Sequence, residues 1–67
     1  MHIFINGNLR QLASENVTIS ALVVTLNLTS KRLAIEINGE IVPRSQFDMV
    51  TLHDGDKLEI VGAVGGG

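Results

Sequence analysis

Hydrophobic and polar positions alternate at both ends of the chain and follow a longer period in the middle. His2 to Ile5, "HIFI", is dense in strand formers, with Ile3 and Ile5 on one face and Phe4 on the other. Asn6-Gly7 follows; both residues tolerate positive φ, which makes the pair a strong hairpin signal. Leu9 to Leu12 reads as the returning strand. From Val17 the period changes. Ile19, Leu22, Val23 and Leu26 fall at i, i+3, i+4 and i+7, which predicts a helix over residues 19–27. Thr18 is a fitting N-cap, Val17 stands where a hydrophobic staple would meet Leu22, and Asn27 can take the left-handed conformation that ends a helix.

Alternation returns in Leu33 to Ile37, with Leu33, Ile35 and Ile37 inward and Ala34 and Glu36 outward. A second Asn-Gly pair, Asn38-Gly39, turns the chain into "EIVPR", where Pro43 lacks an N–H, so the segment must lie at a sheet edge or leave the sheet. Ser45 to Met49 reads as a turn or short 3₁₀ piece and Val50 to Leu52 as a short strand. "HDGD" makes a third tight turn before the last strand, Lys57 to Val61, with Leu58 and Ile60 inward. One helix against a mixed sheet of four to five strands, with the last strand brought beside the first, is an α+β fold of the β-grasp, or ubiquitin-like, kind. Residues 1–61 form this domain and residues 62–67 a Gly-rich tail.

The 67 residues make one small domain, and a hydrophobic content of 45 % is ample for its core. There is no cysteine, which excludes disulfides, zinc–thiolate sites and a thiol nucleophile. A secreted domain of this size is usually stapled by disulfides, and "MHIFING" has neither the basic nor the apolar part of a signal peptide; a cytoplasmic protein is expected. A net charge of −2 with scattered Lys and Arg gives no footprint for nucleic acid. His2 and His53 stand far apart, and the chain is too small to enclose much beyond its core, so it is not expected to be an enzyme. Asp54 and Asp56 lack clustered oxygen ligands and read as turn residues rather than a metal site.

The last residues, "EIVGAVGGG", run from an inward-and-outward strand into three consecutive glycines. Glycine is costly to order and contributes no side chain, so a folded body gains nothing from such a run.

Four stretches together resemble the ThiS family, the sulfur carriers of thiamine biosynthesis: "FING", "AIEINGEIVPR", "HDGDKLEIV" and the terminal "GG". Related carriers for molybdopterin synthesis share the fold and the glycines but tend to carry a Phe-Pro-Pro type stretch that "VGAV" lacks. The resemblance implies a cycle. An E1-like adenylyltransferase (ThiF-type) uses ATP and magnesium to convert the Gly67 carboxylate into an acyl-adenylate. Sulfur from a donor such as a cysteine desulfurase replaces AMP to give a thiocarboxylate. A thiazole synthase (ThiG-type) then uses that sulfur to build a thiazole ring. No cofactor is permanently bound.

The residues suit that chemistry. A C-terminal carboxylate is ionised at neutral pH and is a poor electrophile, so it must be activated inside a partner's site. Six extended residues reach about 20 Å, and Gly65 and Gly66 bring no side chain to obstruct a narrow channel before the reactive Gly67. On the folded body, Phe4, Ala34 and Val61 point away from the helix by the alternation above, flanked by Glu36 and Glu59. This patch is expected to dock the activating enzyme and thiazole synthase, although isolated exposed apolar residues are ordinary in any protein. A molybdopterin-type or other thiolation carrier, and a non-reactive β-grasp interaction module, are the alternatives.

Overall fold

The computed structural model describes residues 1–29 and 32–62. Its elements in chain order are β1 (His2–Ile5), β2 (Asn8–Gln11), α1 (Ile19–Thr25), β3 (Leu33–Ile37), β4 (Glu40–Val42), a 3₁₀ turn (Arg44–Gln46) and β5 (Lys57–Gly62). The five strands form one mixed sheet in the order β2-β1-β5-β3-β4. β5 lies at the centre, parallel to β1 and antiparallel to β3. The β-grasp arrangement expected from the patterning is therefore present.

The two Asn-Gly turns set the hairpins. Asn6 and Gly7 have φ of 50° and 84°, and Asn38 and Gly39 have 51° and 88°. Paired positive φ values match the twist of the flanking strands and allow a two-residue connection. Ile5 thus faces Asn8, and Ile37 faces Glu40. The returning strand consequently starts at Asn8 and ends at Gln11, one residue earlier than its sequence reading. Pro43 follows β4 at the sheet edge, where its missing N–H interrupts no ladder.

The helix has seven residues, shorter than the span read from the periodicity, and both its ends are satisfied. The Thr18 hydroxyl accepts from the Ala21 amide at 3.1 Å. The amides of Ile19 and Ser20 donate to the carbonyls of Val50 and Phe47, each at 3.0 Å. These contacts meet donors that a helix N-terminus otherwise leaves unpaired. At the other end Leu26 is the cap, and Asn27 takes φ 63° just beyond it. The Asn27 and Leu28 amides return to the carbonyls of Val24 and Val23 in a Schellman motif. Asn27 ends the helix as its chemistry suggests, but from outside the last turn.

Residues 50–52 do not form the short strand read for them. Thr51 makes one isolated bridge to Thr18, supported by the Leu52 amide donating to the Val17 carbonyl at 2.7 Å. Its partner turns into α1 at Ile19, so pairing stops after a single step. β5 in turn runs one residue past Val61, because Gly62 still pairs with Leu33.

The core lies between α1 and one face of the sheet. Ile3, Ile35 and Leu58 from the strands meet Ile19, Leu22 and Val23 from the helix, with Val42, Phe47 and Leu52 closing the sides. Phe47 is buried although the segment around it is a turn. The six largest fully buried side chains are all Ile or Leu.

Candidate functional site

Two features belong to the site: the central strand that leads toward the glycines, and the sheet face turned away from α1. β5 is held by backbone pairing on both sides and by the side chains of both turn asparagines. Asn38 Oδ1 accepts from the Lys57 amide at 3.0 Å, and the Asn38 amide donates to the Lys57 carbonyl at 2.7 Å. Asn6 takes hold further along: its Nδ2 donates to the Ile60 carbonyl at 3.0 Å and its Oδ1 accepts from the Ile60 amide at 2.8 Å. In effect the Asn6 side chain adds a step to the parallel β1–β5 ladder after the chain itself has turned away.

The "HDGD" loop is built as a turn. Asp54 accepts from the His2 amide at 2.6 Å. Asp56 accepts from the His53 amide at 2.8 Å and from Asn38 Nδ2 at 3.0 Å. Gly55 has φ 87°. Both carboxylates are thus committed to the protein's own donors, and among the described residues no group of three or more His, Asp or Glu side chains could hold a metal ion. His53 is exposed. An open depression of about 390 Å³ beside the β3–β4 hairpin is lined by Glu40, Ile41, Gln46, Thr51, His53 and Asp56 among others, and it shares Ile41 with the sheet face turned away from α1.

Directly opposed residues of antiparallel strands share a face. Ala34 is opposite Val61, Glu36 is opposite both Glu59 and Ile41, and Phe4 is opposite Leu9. Phe4 is also in register with Lys57 of β5. Ile3, Ile35 and Leu58, on the other phase of the alternation, are buried under the helix. Phe4, Ala34 and Val61 therefore share the uncovered face, as their alternation requires. Phe4 is half-buried and Ala34 exposed, and Val61 keeps 58 % of its surface.

Leu9 and Ile41 join this face and were missed from sequence. They are 60 % and 75 % exposed, high values for large apolar side chains. Their signal was available: a two-residue Asn-Gly turn fixes hairpin register, and register carries the face assignment from β1 to β2 and from β3 to β4. Gly65, Gly66 and Gly67 lie outside the described residues. Among those described, no helix is long and apolar enough to cross a membrane.

The fold is that of a ubiquitin-like domain, with one sheet face left uncovered among the described residues. The ThiS family model matches residues 3–67. Three relatives bear on the assignment. A crystal structure of the thiamine biosynthesis protein ThiS from Geobacter metallireducens superposes with a TM-score of 0.87 at 30 % identity, covering 100 % of both chains. The sulfur carrier protein ThiS of Bacillus subtilis is 35 % identical over 63 residues, 94 % of this chain and 96 % of that protein. A thiazole synthase from Paramagnetospirillum magneticum is 46 % identical over all 67 residues, which make up 20 % of its length. The chain thus spans about one fifth of that synthase. It belongs to the ThiS family.

Proposed function

We propose that the chain is a sulfur carrier of thiamine biosynthesis whose reactive group is the carboxyl carbon of Gly67. It acts as a protein co-substrate rather than as a catalyst. A ThiF-type adenylyltransferase uses ATP and magnesium: a carboxylate oxygen of Gly67 attacks the α-phosphorus, and pyrophosphate leaves. A sulfur nucleophile at the sulfide level, derived from a donor such as a cysteine desulfurase, adds to the acyl carbon and expels AMP. The product is a thiocarboxylate, and a ThiG-type thiazole synthase takes its sulfur into the ring.

The observation that carries this reading is the family match running through to Gly67. Three others support it. The strand that leads to the tail is paired on both sides and held by the side chains of Asn6 and Asn38, so the body serves as a rigid handle. With no cysteine, the chain has no thiol of its own on which to hold sulfur. The thiazole synthase that contains a segment 46 % identical to the chain favours a synthase as recipient. Phe4, Ala34 and Val61, with Leu9 and Ile41, form the face on which the activating enzyme and the synthase dock.

Complementation tests the proposal. In a strain lacking its own carrier, the chain should restore growth without thiamine, and a chain lacking Gly66 and Gly67 should not. Equal rescue by both would reject Gly67 as the reactive residue.

A further inference from the structure

The uncovered face carries a charge pattern that its apolar residues do not explain. Glu36 and Glu59 are directly opposed on adjacent central strands. That placement sets their Cβ atoms about 5 Å apart on one face, where like charges destabilise a sheet. Apolar residues frame the pair: Ile41 beside Glu36, Ala34 and Val61 two residues along, and Phe4 with Leu9 toward the other edge. Among the strand residues of this face Lys57 is the one lysine or arginine, in register with Phe4. One ammonium against two carboxylates leaves the middle of the patch negative.

This arrangement constrains whatever binds. Val61 lies two residues beyond Glu59 on β5, and Phe4 lies on the neighbouring strand, so a surface touching both also covers Glu59. Covering a carboxylate without a counter-charge costs more than the surrounding apolar contact returns. We propose that a ThiG-type thiazole synthase docks on this face and places an arginine, set among apolar side chains, between Glu36 and Glu59. The inference rests on the docking reading above and adds its electrostatic half. A guanidinium suits the position because its planar fork of donors can meet two carboxylates at once, which an ammonium does less well. A second copy of the chain is disfavoured, because two such faces would bring four carboxylates against two lysines.

Calorimetric titration of a purified ThiG-type thiazole synthase with the full chain tests this. Glu36→Gln and Glu59→Gln should each weaken the complex about ten-fold or more. Either change should also raise the thermal midpoint of the free chain by relieving the repulsion. Added salt should weaken the native complex and leave that of the double variant nearly unchanged. Phe4→Asp serves as the separate control for the face. If Phe4→Asp abolishes binding while the double variant binds like the native chain, the arginine inference fails and the docking reading stands. If neither change alters affinity, the docking reading fails as well. A native chain that sediments as a dimer and is made monomeric by Phe4→Asp would assign the face to a second copy and overturn the proposal.

Discussion

The side-chain amide of Asn6 pairs with both backbone groups of Ile60, 54 residues away in sequence. One residue thus does two things. Its backbone turns β1 into β2 at φ 50°, and its side chain secures the strand that leads to the tail. Asn6→Gly separates these roles, since glycine accepts the turn conformation without strain but has no amide to offer. The change should cost about 1–3 kcal/mol, as expected for two lost hydrogen bonds. Exchange of the Ile60 amide proton, followed by NMR, should accelerate more than that of amides in the β1–β2 hairpin. Native-like protection at Ile60 would show that the clamp contributes nothing.

The two faces of the short helix should respond very differently to truncation. Leu22 is fully buried, whereas Val24, two residues on, is 63 % exposed. Leu22→Ala should therefore destabilise by about 2–5 kcal/mol, a large share of the total for so small a domain. Val24→Ala should stay within about 0.5 kcal/mol of the native chain. Thermal melts of the two variants make the comparison. Similar losses would mean that the helix faces are wrongly assigned.

Thr18 closes the first turn of a seven-residue helix, too short to be stable by itself. Thr18→Ala should cost about 1 kcal/mol, and Thr18→Ser should recover most of it because the hydroxyl is restored. Denaturant titration measures both. If Ser is no better than Ala, the Thr18–Ala21 hydrogen bond is not what matters there.

Phe4 and Leu9 are cross-strand partners on the uncovered face. Phe4→Asp should leave the far-ultraviolet circular dichroism of the free chain unchanged, because Phe4 lies outside the helix-covered core. Binding to both a ThiF-type adenylyltransferase and a ThiG-type thiazole synthase should weaken at least ten-fold, about 1.4 kcal/mol. Full affinity for both would remove the face from the account.

Much of this architecture was legible because local signals and global pairing agree. Asn6-Gly7 and Asn38-Gly39 marked both hairpins, Thr18 and Asn27 bounded the helix, and Pro43 required its segment to lie at an edge or leave the sheet. What escaped depends on long-range partners. Whether residues 50–52 form a strand is decided by Val17 and Thr18, which run alongside for one step before entering α1. Burial of Phe47 likewise depends on where a 3₁₀ turn settles against the helix N-terminus. Leu9 and Ile41 were lost differently, since the face assignment stopped at β1, β3 and β5 although the turns carry it across to the edge strands. The opposition of Glu36 and Glu59 needs the β3–β5 register, which no local pattern fixes.

Sulfur carried by this chain must reach the last carbonyl carbon, and intact-mass spectrometry reads that directly. The chain is incubated with a ThiF-type adenylyltransferase, ATP, magnesium and a sulfur donor. A gain of about 16 Da, oxygen exchanged for sulfur, is the predicted result, and it should be absent without ATP. No gain, or an equal gain in a chain lacking Gly66 and Gly67, would contradict the account.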